Sequence, residues 1–296
     1  MKKALTVSII LRFPTANSVR LVASIERSLD AAEDISQIAL NWNYPLHTLF
    51  SDSSSRAESV INRLKERGAD RQIPMGFSGA YHGLLSPEEL KKELEWALKN
   101  PWGEDMKTNF RLDPDAIFPS SVDLVRPALR RLYTGHPPLL VEDRNGESLY
   151  FGDAGGFNAV PSIDATFLDP KMLSKCLLRY YRKEPCTSVV VVVDAVRLDA
   201  EETSALLAGL TALAESKPSF EVAPIGSLLA QLAERASRID ADMVVPRIRA
   251  IPTDPVSRLS RSSVVELKKG RRRGADDLTR RRLERLTLLD IEESKG

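Results

Sequence analysis

The chain has 296 residues, of which 43% are hydrophobic and 28% are charged, and its formal net charge is +1 at pH 7. This composition predicts a folded protein with a sizeable core and excludes a fully disordered chain. The near-neutral charge gives no reason to expect a polyanionic partner for the molecule as a whole. Cys176 and Cys186 form neither a metal-binding pattern nor a disulfide framework, which favours a reducing, cytoplasmic location.

The N-terminal apolar run, Ala4 to Leu11, superficially resembles part of a signal peptide. Arg12 ends the run early, however, and no convincing cleavage site follows at once. The run is rich in β-branched residues, which favours a buried first strand. No run approaches the ~20 apolar residues that a membrane-spanning helix needs, so no transmembrane segment is predicted.

Strand and helix signals then alternate as far as Arg238. The clearest is Ser86-Pro87-Glu88-Glu89, which combines a capping serine, proline at the first helical position and acidic residues in the first turn. A run of five valines, 189–193, is typical of a strand that is covered on both faces. The other expected strands lie near 35–43, 71–77, 137–143, 147–153 and 220–223, and the other helices near 16–31, 53–69, 120–133, 169–183, 199–216 and 225–236.

This alternation predicts an α/β fold with a largely parallel sheet and helical crossovers. Residues 137–143 and 147–153 are the exception, because Asn145-Gly146 between them favours a hairpin turn. Seven or so strand–helix units fit a (β/α)7-like or distorted TIM-type barrel better than a short open sheet. Residues 1–238 are therefore predicted to form one barrel domain.

Residues 239–296 are predicted to form a basic C-terminal extension, partly disordered, with a terminal helix near its end. Between Arg258 and Arg285 lie 11 of the 42 basic residues of the chain. Two interpretations are open: a flexible tail whose helix packs on the barrel or a protein partner, or an electrostatic arm for nucleic acid or an anionic surface. Base stacking is not expected, since the segment lacks aromatic residues.

The strand–turn–helix stretch Tyr81-His82-Gly83-Leu84-Leu85-Ser86-Pro87-Glu88-Glu89-Leu90 resembles the middle of the glycoside hydrolase/deacetylase (β/α) barrels. This superfamily includes family-57 glycoside hydrolases and polysaccharide deacetylases. Residues 110–133 are similar to the next element of those barrels, and residues 188–229 are similar to their closing elements. The resemblance lies in the order of elements, and it implies a barrel of this kind that acts on a glycan.

The same resemblance implies that much of the family's site has been replaced. The deacetylases place an Asp-Asp pair after strand one, where this chain has Leu11-Arg12-Phe13-Pro14, and Ser78 stands where the first of two metal-binding histidines is expected if His82 is the second. The strand-one histidine of family-57 enzymes is absent, and Ser120 replaces their nucleophilic glutamate. Asp194 is the counterpart of their acid/base aspartate, so no metal site and at best one family carboxylate are implied.

The working face of such a barrel lies at the carboxyl ends of its strands. Two carboxyl groups are needed for glycoside hydrolysis, and the best remaining pair is Asp194 with Asp113 or Asp115. These three are the predicted catalytic residues, although each could instead stabilise a turn next to it. The predicted substrate-binding residues are His82, Tyr81, Arg111 and Asn43. His82 has two other roles open to it, a structural bond to a loop carbonyl or metal binding.

No cofactor is predicted, because the sequence has no Walker motif, dinucleotide fingerprint or G-x-S-x-G elbow. Two functional hypotheses follow. One is a divergent carbohydrate-active, hydrolase-like barrel that acts on a glycan by carboxylate acid/base chemistry. The other is a barrel that has lost its chemistry and serves as a binding or assembly module, with a protein or anionic partner on the segment Arg258 to Arg285. The oligomeric state is not predicted.

Overall fold

The structure is a computed structural model that describes residues 4–15, 17–33, 35, 38–79, 87–111, 113–119, 137–142, 148–153, 156–182, 187–216 and 220–235. Its strands are β1 Leu5–Arg12, β2 Leu40–Tyr44, β3 Arg71–Pro74, β4 Leu139–Glu142, β5 Ser148–Asp153, β6 Gly156–Asp164, β7 Ser188–Asp194 and β8 Phe220–Val222. Its helices are α1 Ser18–Ala31, α2 Leu46–Phe50, α3 Ser55–Glu66, α4 Pro87–Leu98, α5 Met106–Phe110, α6 Pro170–Arg182, α7 Ala200–Ser216 and α8 Ile225–Arg235.

The central strand of the sheet is β1, and all of its residues are buried. One of its edges pairs in parallel with β7. The other edge is shared, since β8 pairs with residues 5–7 and β2 pairs with residues 9–12, both in parallel. Asn41 stabilises the junction: its Nδ2 donates to the Ile9 carbonyl at 2.8 Å, and its Oδ1 accepts from the backbone N of Ile225 at 3.0 Å.

The sheet has the order β3-β2-β1-β7-β6-β5-β4, and its two outer strands are joined through a short segment at Ile117 and Phe118. The backbone N of Phe118 donates to the carbonyl of Pro74, at the end of β3. Ile117 accepts from the backbone N of Leu140 in β4 and donates to the carbonyl of Pro138. The sheet is therefore barrel-like, although the described residues form no continuous strand ladder between β3 and β4.

Apolar side chains fill both sides of this sheet. Alternate residues of β1 divide between the two sides, as the period of a strand requires: Leu11 faces the surrounding helices, whereas Ile10 faces the interior. The interior cluster includes Val190 and Val192 of β7 and also Ile225 and Leu228 of α8. Helix α8 thus lies against the inner face of the sheet and fills the interior below the carboxyl ends of the strands.

Side chains cap the amino ends of three helices. The side chains of Asn17 and Ser54 cap α1 and α3 by accepting from the backbone N of Arg20 and Ala57, respectively. Asp199 caps α7 as part of a reciprocal capping box with Glu202. The predicted α/β fold with a largely parallel, barrel-like sheet is confirmed, and β4 and β5 pair in antiparallel fashion as expected.

Three strand predictions differ from the structure. The second strand begins at Leu40 rather than at residue 35, and the third ends at Pro74 rather than at residue 77. Strand β6 was not predicted, because Gly156 and Pro161 interrupt its apolar pattern, yet it pairs with both β5 and β7. The sheet is consequently antiparallel from β4 to β6 and parallel elsewhere.

Other predictions fall on residues that the structure does not describe. These are the capping Ser86, the helix near 120–133, the Asn145-Gly146 turn, and the whole extension 239–296 with its domain boundary. Within the described ranges, no helix is long and apolar enough to span a membrane.

Candidate functional site

Asn43, Arg12 and Asp194 form a row across the carboxyl ends of β2, β1 and β7. Arg12 is the register partner of Asn43 on one side and of Asp194 on the other. They have the same strand parity as Ile10 and Val192, so all three belong to the inner face of the sheet. The structure thus brings two of the predicted residues, Asn43 and Asp194, to one place, with an arginine between them.

The side chain of Arg12 lies at the mouth of the barrel and is 8% exposed. Its Nε donates to Asn43 Oδ1 at 3.1 Å, its Nη2 donates to the carbonyl of Pro119 at 2.8 Å, and its guanidinium lies 4.0 Å from the ring centroid of Phe118. Asn43 Nδ2 donates in turn to the carbonyls of Ile73 and Phe118, at 2.9 Å each. A buried cation therefore occupies the strand-one position and ties three neighbouring chain segments together.

A second carboxylate, Asp164, lies at the end of the neighbouring strand β6. It is the register partner of Val192, which faces the interior, so Asp164 shares the inner face with Asp194. Asp164 itself is exposed, and its Oδ1 accepts from the hydroxyl of Thr166 at 2.6 Å and from the backbone N of Thr166 at 3.0 Å. Thr166 Oγ1 accepts from the backbone N of Asp194 at 3.0 Å, so this threonine links the two aspartates.

The rim beside this pair carries an exposed aromatic ring. Phe167, directly after Thr166, is 68% exposed, and the guanidinium of Arg197 lies 5.0 Å from its ring centroid. Arg197 is itself exposed and lies in the loop that follows β7. The end of the barrel near β6 and β7 therefore offers carboxylates, cations and an open apolar surface within a few residues of one another.

Asp113 and Asp115 lie elsewhere. The carboxylate of Asp115 is 3.4 Å from Arg71 Nε, at the first residue of β3, and Asp115 packs against Gly226 in the first turn of α8. Asp113 is on the surface, 72% exposed, and pairs with Lys107 at 3.3 Å. The structure therefore does not bring either residue to Asp194, because the segment 115–119 runs along β3 from its amino end and reaches the mouth only at Phe118 and Pro119.

The other predicted binding residues are placed as follows. Arg111 follows α5 and lines a cleft next to Gln72 on the outer side of the sheet, away from the Asn43–Arg12–Asp194 row. His82 and Tyr81 lie outside the described residues, so their role remains a prediction.

Three residues of this mouth are not among the site residues predicted from the sequence. Asp164 was missed because β6 was missed, although an aspartate after a strand was the criterion that selected Asp194. The sequence presents Arg12 only as a replacement for the family's carboxylates, although its position at the end of β1 is a signal for a residue of the mouth. No sequence signal marked Phe167, because exposure of an apolar ring is decided by tertiary packing.

A catalytic metal does not fit the described part of this mouth. The strand-one position holds the guanidinium of Arg12, which carries only donors and a positive charge and so cannot ligate a cation. Across the described ranges, no group of three or more His, Cys, Asp and Glu side chains is placed to hold a metal ion.

Solved structures provide the comparison that decides the fold. The chain is similar to a 4-alpha-glucanotransferase from Thermococcus litoralis, with a TM-score of 0.57 and 12% identity, over 77% of this chain and 40% of that chain. It is also similar to a protein assigned as a polysaccharide deacetylase from Mycobacterium smegmatis, with a TM-score of 0.53 and 12% identity, over 81% of this chain and 94% of that one. The chain shares the fold of these barrels.

The resemblance expected from the sequence is thereby confirmed at the level of the fold. No protein-family model and no curated protein sequence matches the chain. The chain spans less than half the length of the glucanotransferase. At this identity the likeness extends to the architecture alone, and any shared activity has to be argued from the side chains of this chain.

Proposed function

We propose that this protein is a carbohydrate-active barrel that acts on a glycan by carboxylate acid/base chemistry, with Asp194 and Asp164 as its two carboxylates. The observation that carries the proposal is their common place on the inner face, at the ends of β7 and β6, with Thr166 between them. The names of the two similar structures, a glucanotransferase and a polysaccharide deacetylase, support the choice of a glycan.

The spacing suits this chemistry. Asp194 is two residues beyond the register partner of Asp164, so ideal strand geometry separates their Cα atoms by about 8 Å. Short side chains on such positions can span the separations of about 5 to 10 Å that glycosidase carboxyl pairs require. One carboxyl group would give its proton to the leaving oxygen of the glycosidic bond, while the other, ionised, would act as the base or the nucleophile.

The rim suits the same substrate. The open face of Phe167 offers an apolar surface to the C–H groups of a sugar ring, next to the donors of Arg197. Arg12 and Asn43 have a structural role in this proposal. Because they are bonded to each other and to the backbone, they hold the floor of the mouth in place.

Turnover on a panel of oligosaccharides and acetylated glycans tests the proposal. We expect activity from the wild-type chain and a loss of 100-fold or more in kcat, an order-of-magnitude figure, for Asp194→Asn and for Asp164→Asn. Asp113→Asn is the matched control, because this exposed carboxylate pairs with Lys107 away from the mouth, and it should keep full activity. Wild-type rates in both site variants would refute the assignment.

Thr166 is a positioning residue in this proposal. Its variants distinguish an effect on the position of Asp164 from an effect on the stability of the fold. Thr166→Val removes the hydroxyl that holds Asp164, so kcat should fall while KM changes little. Thr166→Ser keeps the hydroxyl and should restore most of kcat. Equal kcat values for the two variants would mean that the threonine acts only through folding.

A second candidate function is a non-catalytic binding or assembly module that contacts a protein or anionic partner through the segment Arg258 to Arg285. The buried Arg12 favours it, because this cation stands where the resemblance implies carboxylates or a histidine. Binding of the same glycans without turnover would support this candidate. Affinity capture with the full chain and with residues 256–296 deleted tests the tail: partners should be lost with the deletion, and unchanged capture would count against it.

A further inference from the structure

A second cleft lies on the outer side of the sheet at the amino end of β3, with a volume of about 380 Å³. The end of α3 and its following turn form one wall, α5 and Arg111 form the other, and Gln72 lies between them. Gln72 precedes Ile73, which faces the interior, so its side chain belongs to the outer face. This cleft is therefore separate from the mouth that contains Asp194.

The charge of the cleft is positive. Its one lining carboxylate, Asp70, is buried and fully engaged, since it accepts from Leu40 N, Trp42 Nε1 and Arg67. Arg67 also donates to the carbonyl of Ala32, so the Arg67–Asp70 pair is neutral and structural. Two further lining cations, Lys65 and Arg111, have no carboxylate partner within the described ranges.

Arg111 adopts a strained backbone conformation, with φ 56° and ψ 23°, in the left-handed region. Glycine or asparagine usually takes this place after a helix, because the Cβ of other residues is crowded there. Among the described residues, Arg111 is the one non-glycine residue with a positive φ. Backbone strain of this kind clusters at binding sites, where a side chain that contacts the ligand occupies a position that would suit glycine better.

Gln72 provides a neutral donor to the same cleft. The residue is 6% exposed, and its Oε1 accepts from the hydroxyl of Tyr44 at 2.9 Å, which fixes the side-chain amide. The amide nitrogen makes no hydrogen bond to the described residues. It is also not fully buried, so it is open to a ligand. A largely buried amide thus keeps its donors on the cleft side.

We propose that this cleft binds a phosphorylated sugar, independently of the function proposed for the mouth. Arg111 and Lys65 would hold the phosphate, since the planar guanidinium matches two phosphate oxygens and the ammonium adds a point charge. Gln72 would donate to a sugar hydroxyl. The cleft volume lies within the range of small-molecule sites.

Calorimetric titration of the full chain with glucose 6-phosphate, inorganic phosphate and glucose, at low ionic strength, tests the proposal. We expect saturable binding of the sugar phosphate, binding at least 10-fold weaker for inorganic phosphate, and no binding of glucose. Equal affinity for the two phosphates would overturn the recognition of the sugar. Absence of binding by the sugar phosphate would overturn the site.

Variants locate the binding. Arg111→Gly should weaken it at least 10-fold while raising the melting temperature of the free protein by a few degrees, because glycine relieves the backbone strain. Lys65→Gln should weaken it several-fold, whereas Lys175→Gln, at an exposed lysine on α6, is the matched control and should change nothing. Wild-type affinity in a doubly substituted Arg111→Gly, Lys65→Gln chain would refute the proposal.

Discussion

Arg12 and Asp194 are register partners at the carboxyl ends of β1 and β7. This relationship places a buried cation beside the carboxylate that the sequence had singled out. It also changes the meaning of the first strand end: where the resemblance implies acidic or metal-binding residues, this chain has a guanidinium bonded to Asn43 and to the carbonyl of Pro119. The mouth therefore has a positively charged side chain where the resemblance implies negatively charged or metal-binding ones.

Loss of Arg12 should destabilise the fold. In Arg12→Met the acceptors on Asn43 and Pro119 lose their charged donor in a buried place, so we expect a loss of about 2–4 kcal/mol in the free energy of unfolding. Arg12→Lys should lose less. Urea unfolding measures both, and the exposed Arg20→Met is the control, with a change within about 0.5 kcal/mol. An unchanged free energy of unfolding for Arg12→Met would contradict this structural role.

Phe167 should matter for binding and not for stability. Because its ring is 68% exposed, Phe167→Ala should change the free energy of unfolding by no more than about 0.5 kcal/mol. The same change should weaken the binding of an oligosaccharide substrate by roughly 5- to 10-fold, which corresponds to about 1 kcal/mol of stacking. Phe167→Tyr keeps the ring and should keep the affinity. Equal dissociation constants for the alanine variant and the wild type would contradict the role given to the ring.

Gly209 is expected to resist a substitution that normally stabilises helices. An alanine Cβ at this position of α7 would lie 2.5 Å from Cβ of Pro170, at the start of α6. The usual helix-propensity gain of about 1 kcal/mol should therefore be reversed into a net loss of about 1–3 kcal/mol. Gly68→Ala is the matched control, since nothing lies within 4 Å of its added Cβ. In thermal unfolding, Gly209→Ala should lower the melting temperature, whereas Gly68→Ala should not.

Tyr44 should make the protein sensitive to alkali. Burial raises the pKa of Tyr44 well above its ordinary value of about 10. Since the folded state then holds this proton more tightly than the unfolded state, the stabilisation is present below pH 10 and is lost as the pH rises above it.

The Tyr44→Phe variant tests this. Without the hydroxyl that donates to Gln72, it should be less stable at pH 7 by about 1 kcal/mol. Between pH 9.5 and 11.5, however, its unfolding free energy should decline less steeply than that of the wild type. Parallel pH profiles for the two chains would show that another group causes the alkaline loss.

The sequence by itself determined most elements and the class of fold. Strand β1, the valine-rich strand β7 and the helix caps at Ser54 and Asp199 depend on local properties: β-branched content, burial on both faces and side chains that satisfy free backbone N–H groups. Strand β6 could not be predicted from the sequence, because pairing with β5 and β7 stabilises a segment whose own glycine and proline disfavour a strand.

Only the tertiary structure decided which charged residues meet. The sequence pairs Asp194 with Asp113 or Asp115, but Asp115 contacts Arg71 at the amino end of β3, and Asp194 lies at the carboxyl end of β7 with Asp164. Register between strands distant in sequence, such as β1 and β7, sets these neighbours. Such register depends on the packing of the whole sheet and leaves no mark in any single stretch of sequence.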